Sequence, residues 1–162
     1  MGYAKNYQKK PKQKSRKKTY QPKPPFSSVE GNGTLPFNKL DRGAVWVLMR
    51  FYAKFNGYNR YDLSLPYKEV KHEMSSKIFT RSIWQCIGFG FLDVTRWGRL
   101  ERNSSLYGLS NRWRKLCEEP EKLEKIEALL KEIEHLKKQK GSAQKRTKIY
   151  EHRHKILKLG GR

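Results

Sequence analysis

Apolar residues recur at helical intervals in the middle of the chain. Leu40, Ala44, Val47, Leu48, Phe51 and Phe55 fall on one stripe, widened by Trp46 and Tyr52. The spacing predicts a helix over 40–57, capped by Asp41 and ended at Gly57. Leu63 and Leu65 then alternate with polar neighbours, which fits a brief strand. Pro66 ends that run and suits the first turn of a helix reaching about Met74. Ser75-Ser76 is a turn and cap signal, and SSKIFTRSIWQCI opens a second amphipathic helix running to about Ile87. Phe79, Ile83 and Ile87 lie four apart on one face, with Ser82 and Cys86 as small fillers. The opposite face holds Lys77, Thr80, Arg81, Trp84 and Gln85, an unusual set for a side turned to water.

The period changes from four to two after Gly88. Phe91, Asp93, Thr95 and Trp97 alternate with Leu92, Val94 and Arg96; residues 98–104 are polar and turn-rich, and 105–109 return as a second strand. This predicts a β-hairpin over 88–110. Ser110 can then cap a short turn, NRWRKLC, whose Trp113 and Leu116 close the core. Residues 118–140 are the plainest helix. Leu123, Ile126, Leu130 and Ile133 repeat at three and four, glutamates crowd the start and lysines the end, and Pro120 sits in the first turn. Glu121–Lys125, Glu127–Lys131 and Glu134–Lys138 are favourable four-apart pairs. Part of the following basic stretch (143–158) has helical character, at least when bound.

Charge divides the chain into segments. Lys and Arg number 37 against 15 Asp and Glu, a formal net charge of +22, which implies a polyanionic partner. Residues 1–36 are lysine- and proline-rich, carry no acid in the first twenty-five, and read as a disordered basic arm. Residues 37–117 form the candidate folded domain, 118–140 an amphipathic helix and 141–162 a basic tail. No stretch has the length of a transmembrane helix, so no membrane role is expected. The lysine-rich start has no apolar core behind it and is not read as a secretory signal. Cys86 and Cys117 lack disulfide or zinc spacing and are read as reduced thiols of a cytoplasmic protein.

The overall class is mainly α with a small β-hairpin (α+β). The order helix, short strand, helix, tight turn, helix, hairpin, together with LSLPYKEVKHEMSSKIFTRSIWQCIGFGFLDV, resembles the winged helix-turn-helix over roughly residues 40–114. The Gly90-Phe91-Leu92 step and the later YGLSNRWRKL also resemble a group of bacterial winged-helix proteins and, more loosely, plasmid and phage replication or regulatory proteins. Two departures are plain: Pro66 stands where a small hydroxyl cap is usual, and Trp84 is bulkier than the usual exposed residue there.

The resemblance implies binding of double-stranded DNA, as a transcriptional regulator or a replication-initiation factor of a mobile element, nucleoid-associated in a bacterial cytoplasm. The helix from Lys77 would enter the major groove, where arginine pairs with guanine and glutamine with adenine. Lys77, Thr80, Arg81 and Gln85 are then the groove candidates, with phosphate contact favoured for the first two. Arg96, Arg99 and Arg102 are candidates from the hairpin tip, along the backbone or in a minor groove. Trp84 either meets the DNA or folds back on the hairpin or the C-terminal helix. A homodimer is compatible with this reading, since palindromic sites need two-fold symmetry.

Two other readings stand beside it. Lysine-rich arms bind RNA as readily as DNA, so an RNA- or ribosome-binding protein using the winged helix as scaffold fits the charge. A protein–protein adaptor fits the exposed tryptophans but not the charge. No catalytic constellation, metal-ligand set or phosphate-binding glycine fingerprint is present in the sequence, so neither an enzyme nor a cofactor is expected. The HxH at His152 and His154 lacks a third ligand.

Overall fold

The computed structural model describes residues 29–98, 104–139 and 143–159. Its elements are α1 (Leu35–Asn38), α2 (Arg42–Lys54), α3 (Tyr67–Val70), α4 (Ser76–Gly88), β1 (Leu92–Arg96), β2 (Leu106–Leu109), α5 (Trp113–Glu118), α6 (Pro120–Lys138) and α7 (Ala143–Leu159). The chain is mainly helical with one small antiparallel sheet. No helix among the described residues is long and apolar enough to cross a membrane.

Helix α2 starts where Asp41 accepts a hydrogen bond from the Ala44 N–H. It buries Ala44, Val47, Leu48 and Phe51, the stripe its spacing predicts. It packs closely on α4 because the facing residues are small. A Cβ on Gly43 would stand 2.8 Å from the Ser82 hydroxyl oxygen, and Cys86 Sγ lies 3.4 Å from the Ala44 carbonyl. Burial pushes the Cys86 thiol well above its ordinary pKa, so it stays a neutral core group.

Helix α4 is capped by Ser75, which accepts from the Ile78 N–H. Its other end is a Schellman motif. Phe91 N–H donates to the Cys86 carbonyl (2.9 Å) and Gly90 N–H to the Ile87 carbonyl (3.2 Å), with Gly90 at φ +79°. This turn sets up the sheet. It swings the chain so that Phe91 packs edge-on against Phe37 and stacks with Trp113, and Leu92 enters β1. A Cβ at Gly90 would lie 2.6 Å from the Trp113 backbone nitrogen. Gly90→Ala is therefore expected to destabilise the fold by at least the roughly 1–3 kcal/mol of a left-handed non-glycine residue, visible as a lower urea midpoint.

In the sheet, Leu92 faces Leu109 and Asp93 faces Gly108, and the register slips between Val94 and Arg96. A third short run joins the edge: Leu63 and Tyr107 exchange both backbone hydrogen bonds, at 2.9 and 2.8 Å. The predicted Leu63–Leu65 strand is thus a single bridge onto β2. Arg112 fastens the sheet to α4. It donates to Asp93 at 2.7 Å, to the Leu92 carbonyl at 2.9 Å and to the Ile87 carbonyl at 3.1 Å.

Three sequence expectations change. The helix expected over 40–57 is shorter, since Phe55 is extended and the Asn56 and Asn59 side chains hold the turn that follows. The helix expected to reach Met74 is one turn, Tyr67–Val70. The end of the supposed arm is ordered: Val29 and Pro36 are buried, and Gly31 turns tightly against Phe91 and Trp113. Residues 1–28 lie outside the described residues.

The C-terminal segments form an antiparallel helical pair. Helix α6 buries Leu123, Ile126 and Ile133, and α7 buries Ile156 and His152. His152 Nε2 lies 2.8 Å from Glu132. Both helices close on the end of α4 at Gly88, where a Cβ would meet Ile126 at 3.0 Å and Ile156 at 3.3 Å. The apolar stripe of α6 is therefore covered within one chain. Lys39 adds a tie from the α1–α2 link, pairing with Glu127 at 2.7 Å. Hydrogen bonds from Lys131 and Lys39 hold the Glu127 carboxyl below its ordinary pKa.

Candidate nucleic-acid interface

Helix α4 has two halves with different surroundings. Its first turn is open, with Ser75, Ser76, Lys77 and Ile78 exposed. From Ser82 onward it is wrapped on nearly all sides, and Ser82, Ile83, Trp84, Cys86, Ile87 and Gly88 are buried. The first face packs on α2. The second face, expected to look outward, is covered by α6, α7 and the hairpin.

That cover engages the groove candidates. Arg81 lies 2.7 Å from the Asp41 carboxylate and 3.2 Å from Glu134 on α6. Gln85 makes a two-way contact with Asp41, accepting from its backbone N–H at 3.0 Å and donating to its carboxylate at 3.1 Å. Asp41 thus caps α2 and also gathers Arg81 and Gln85 from α4. The expectation that Arg81 and Gln85 project freely from the helix is corrected in this conformation: both tie α4 to its neighbours. The physical reason is local neutralisation, since a partly buried guanidinium needs a carboxylate nearby and α2 and α6 supply one each.

Thr80 turns its hydroxyl back to the Ser76 carbonyl at 2.9 Å. Lys77 is exposed at the open end of the helix. Arg96 is exposed at the end of β1, beside the exposed Trp97. Arg99 and Arg102 lie outside the described residues. Of the seven predicted contacts, Lys77, Thr80, Arg81 and Gln85 share α4, and Arg96 stands apart on the strand leading to the hairpin tip.

Trp84 folds back rather than outward. Its ring stacks on Trp97 with centroids 6.0 Å apart, and the Arg153 guanidinium of α7 lies 4.6 Å over its centre. The packing alternative of the sequence reading is the one observed, and it uses both the hairpin and the terminal helix.

Two participants in this region went unread in the sequence. Lys137 sits among the lysines at the end of α6, which look like ordinary dipole complements. Arg153 lies in a segment dominated by lysine and arginine, a composition that argues for solvent. Its one signal is position, four after Ile149 and three before Ile156, on the seam that α7 turns inward. The outward side of α7 is strongly basic. Arg146, Lys148, Lys155 and Lys158 are exposed there against Glu151. Tyr150 is exposed among them. Comparison of the chain with family models, curated proteins and solved structures finds no match.

Proposed function

We propose that this protein binds double-stranded DNA through a winged helix-turn-helix, as a transcriptional regulator or a replication-initiation factor of a mobile element. The observation that carries the reading is the path of the chain from α2 to β2. The one-turn helix α3 leads through the Ser75 turn into α4, a hairpin follows α4, and Leu63 adds a bridge to the hairpin's returning strand. That order matches the winged-helix pattern, and the net charge of +22 fits a polyanionic partner.

The docking geometry follows from the two halves of α4. Recognition helices meet base edges mainly with their N-terminal residues. The open first turn, Ser76 to Ile78, is therefore the part offered to a groove, with Arg96 and the hairpin tip alongside. Arg81 and Gln85 act behind that turn, fixing its angle through Asp41 and Glu134.

A second reading has one observation in its favour. With Arg81 and Gln85 tied to carboxylates, the helix offers few base-reading groups, as an RNA- or ribosome-binding scaffold would. Competition at matched salt separates the two: duplex DNA outcompeting structured RNA supports the proposal, and the reverse overturns it. Selection from a random duplex pool then tests sequence preference. Arg81→Ala is expected to lower the thermal midpoint and leave the selected motif intact. Loss of preference at one base pair, by about 1–3 kcal/mol, would show instead that Arg81 leaves its carboxylates and reads DNA.

A further inference from the structure

The open turn of α4 presents an aliphatic side chain to solvent. Ile78 is 40% exposed, between the exposed Lys77 and the half-buried Phe79. It is fixed at two points. Its N–H donates to the Ser75 hydroxyl at 3.3 Å, and its Cγ2 rests against Gly43 of α2, where an added Cβ would stand 3.3 Å away. A β-branched side chain in a helix holds one strongly preferred χ1 rotamer, so the exposed remainder of Ile78 keeps one direction. The polar side chains nearby are engaged. Thr80 returns its hydroxyl to the Ser76 carbonyl, the Ser75 hydroxyl caps the helix, and Arg81 and Gln85 hold Asp41. Ser76, Lys77 and Ile78 are the residues of α4 left exposed.

We propose that Ile78 reads the 5-methyl group of a thymine in the major groove. The inference rests on the DNA-binding reading above and names the base feature that the open turn recognises. Thymine alone among the four bases turns a methyl group to that groove; adenine, guanine and cytosine present donors and acceptors that an isoleucine can only desolvate. An aliphatic side chain at the reading end of the helix therefore has one specific partner there. The surrounding charge favours a duplex over an apolar protein surface. Residues 74–80 hold no acid, and Lys77 stands exposed beside Ile78. Arg42, exposed on the first turn of α2, precedes the Gly43 on which Ile78 rests, and Asp41 before it is taken up by Arg81 and Gln85. Those two cations suit flanking phosphates, which set the register without carrying sequence information. Removing the open side of Ile78 and the thymine methyl from water supplies the discrimination.

The test uses the duplex selected from the random pool, with each thymine replaced in turn by deoxyuridine. That change removes the 5-methyl group and leaves the base pairing intact. The full chain is expected to lose about fourfold in affinity at one thymine, or at one per half-site, the loss for a single buried carbon group. Ile78→Ala should bind the thymine and uracil duplexes equally at that position, and Ile78→Val should keep part of the difference. Comparing two duplexes on one protein sample takes folding out of the readout, since a smaller folded fraction lowers both affinities alike. Equal thymine and uracil affinities at every position overturn the inference, leave Ile78 to some other apolar partner and let the DNA reading stand. A pool that yields bound duplexes with no thymine preference does the same. A thymine preference that survives Ile78→Ala also overturns it, because another residue then reads the methyl group. If the unaltered chain binds no duplex, the DNA reading fails and this inference falls with it.

Discussion

Raising the salt from about 50 to about 200 mM is expected to weaken duplex binding by about 10³–10⁵, the loss that follows when roughly 6–10 phosphates are engaged. The size of the effect follows from where the charge resides. In the folded body many cations already face carboxylates: Lys39, Arg50, Lys54, Arg60 and Arg81 pair with Glu127, Glu73, Glu69, Glu30 and Asp41. These pairs release few counterions on binding. The excess charge is elsewhere, on the outer side of α7, at Lys77 and Lys137, and in the lysine-rich residues before 29. An affinity built from such groups is electrostatic and steeply salt-dependent, whereas a protein–protein adaptor would show little dependence. Titrating a labelled duplex at four or five salt concentrations measures the slope directly. A nearly flat line would remove nucleic acid as the main partner. The same series on a single-stranded ligand should be shallower per phosphate, about 0.7 against 0.9, so the slopes also compare the two kinds of ligand.

The charge pattern and the apolar periods made much of this architecture legible. The stripe of α2, the small fillers of α4, the alternation in the hairpin and the three-and-four repeat of α6 each mark one face that is turned to the core. Periodicity detects one such face well. It fails where an element is buried on two sides, which is the case for α4 beyond Ser82. There the second neighbour is remote in sequence, and nothing local to Arg81 or Gln85 announces that Asp41 and Glu134 will meet them. Helix α7 shows the opposite failure. Its inward seam, with Ile149, His152, Ile156, Leu157 and Leu159, is too thin to stand out among lysines and arginines. Composition misled at residues 29–36, where glycine and proline suggested a flexible arm. Val29 and Pro36 nonetheless bury there, Gly31 supplies the turn, and Glu30 pairs with Arg60. The candidate site divides the same way. The basic character of its surface was readable, but which cations remain available depends on tertiary pairing.

Trp84→Ala is expected to be the most damaging single change on α4, lowering stability by about 3–5 kcal/mol. A tryptophan on the outward side of a recognition-like helix invites the view that it meets DNA, but only 9% of its surface is exposed. The indole stacks on Trp97 and lies beneath Arg153, so one side chain joins α4, the hairpin and α7. Truncation removes the buried area, the aromatic pair at about 0.5–1.5 kcal/mol and the cation–π contact at about 0.5–2 kcal/mol. The cavity would open where α7 presses on α4. Faster amide exchange in α7 than in α2 should therefore accompany the lower urea midpoint. Trp97→Ala provides the comparison. Its ring is 49% exposed, so it should cost little more than the aromatic pairing. The pattern distinguishes a structural indole from one that contacts DNA. A variant at Trp84 with an unchanged urea midpoint and weakened duplex binding would mean that the indole leaves Trp97 and Arg153 to meet DNA, and that the terminal helices move aside when it does.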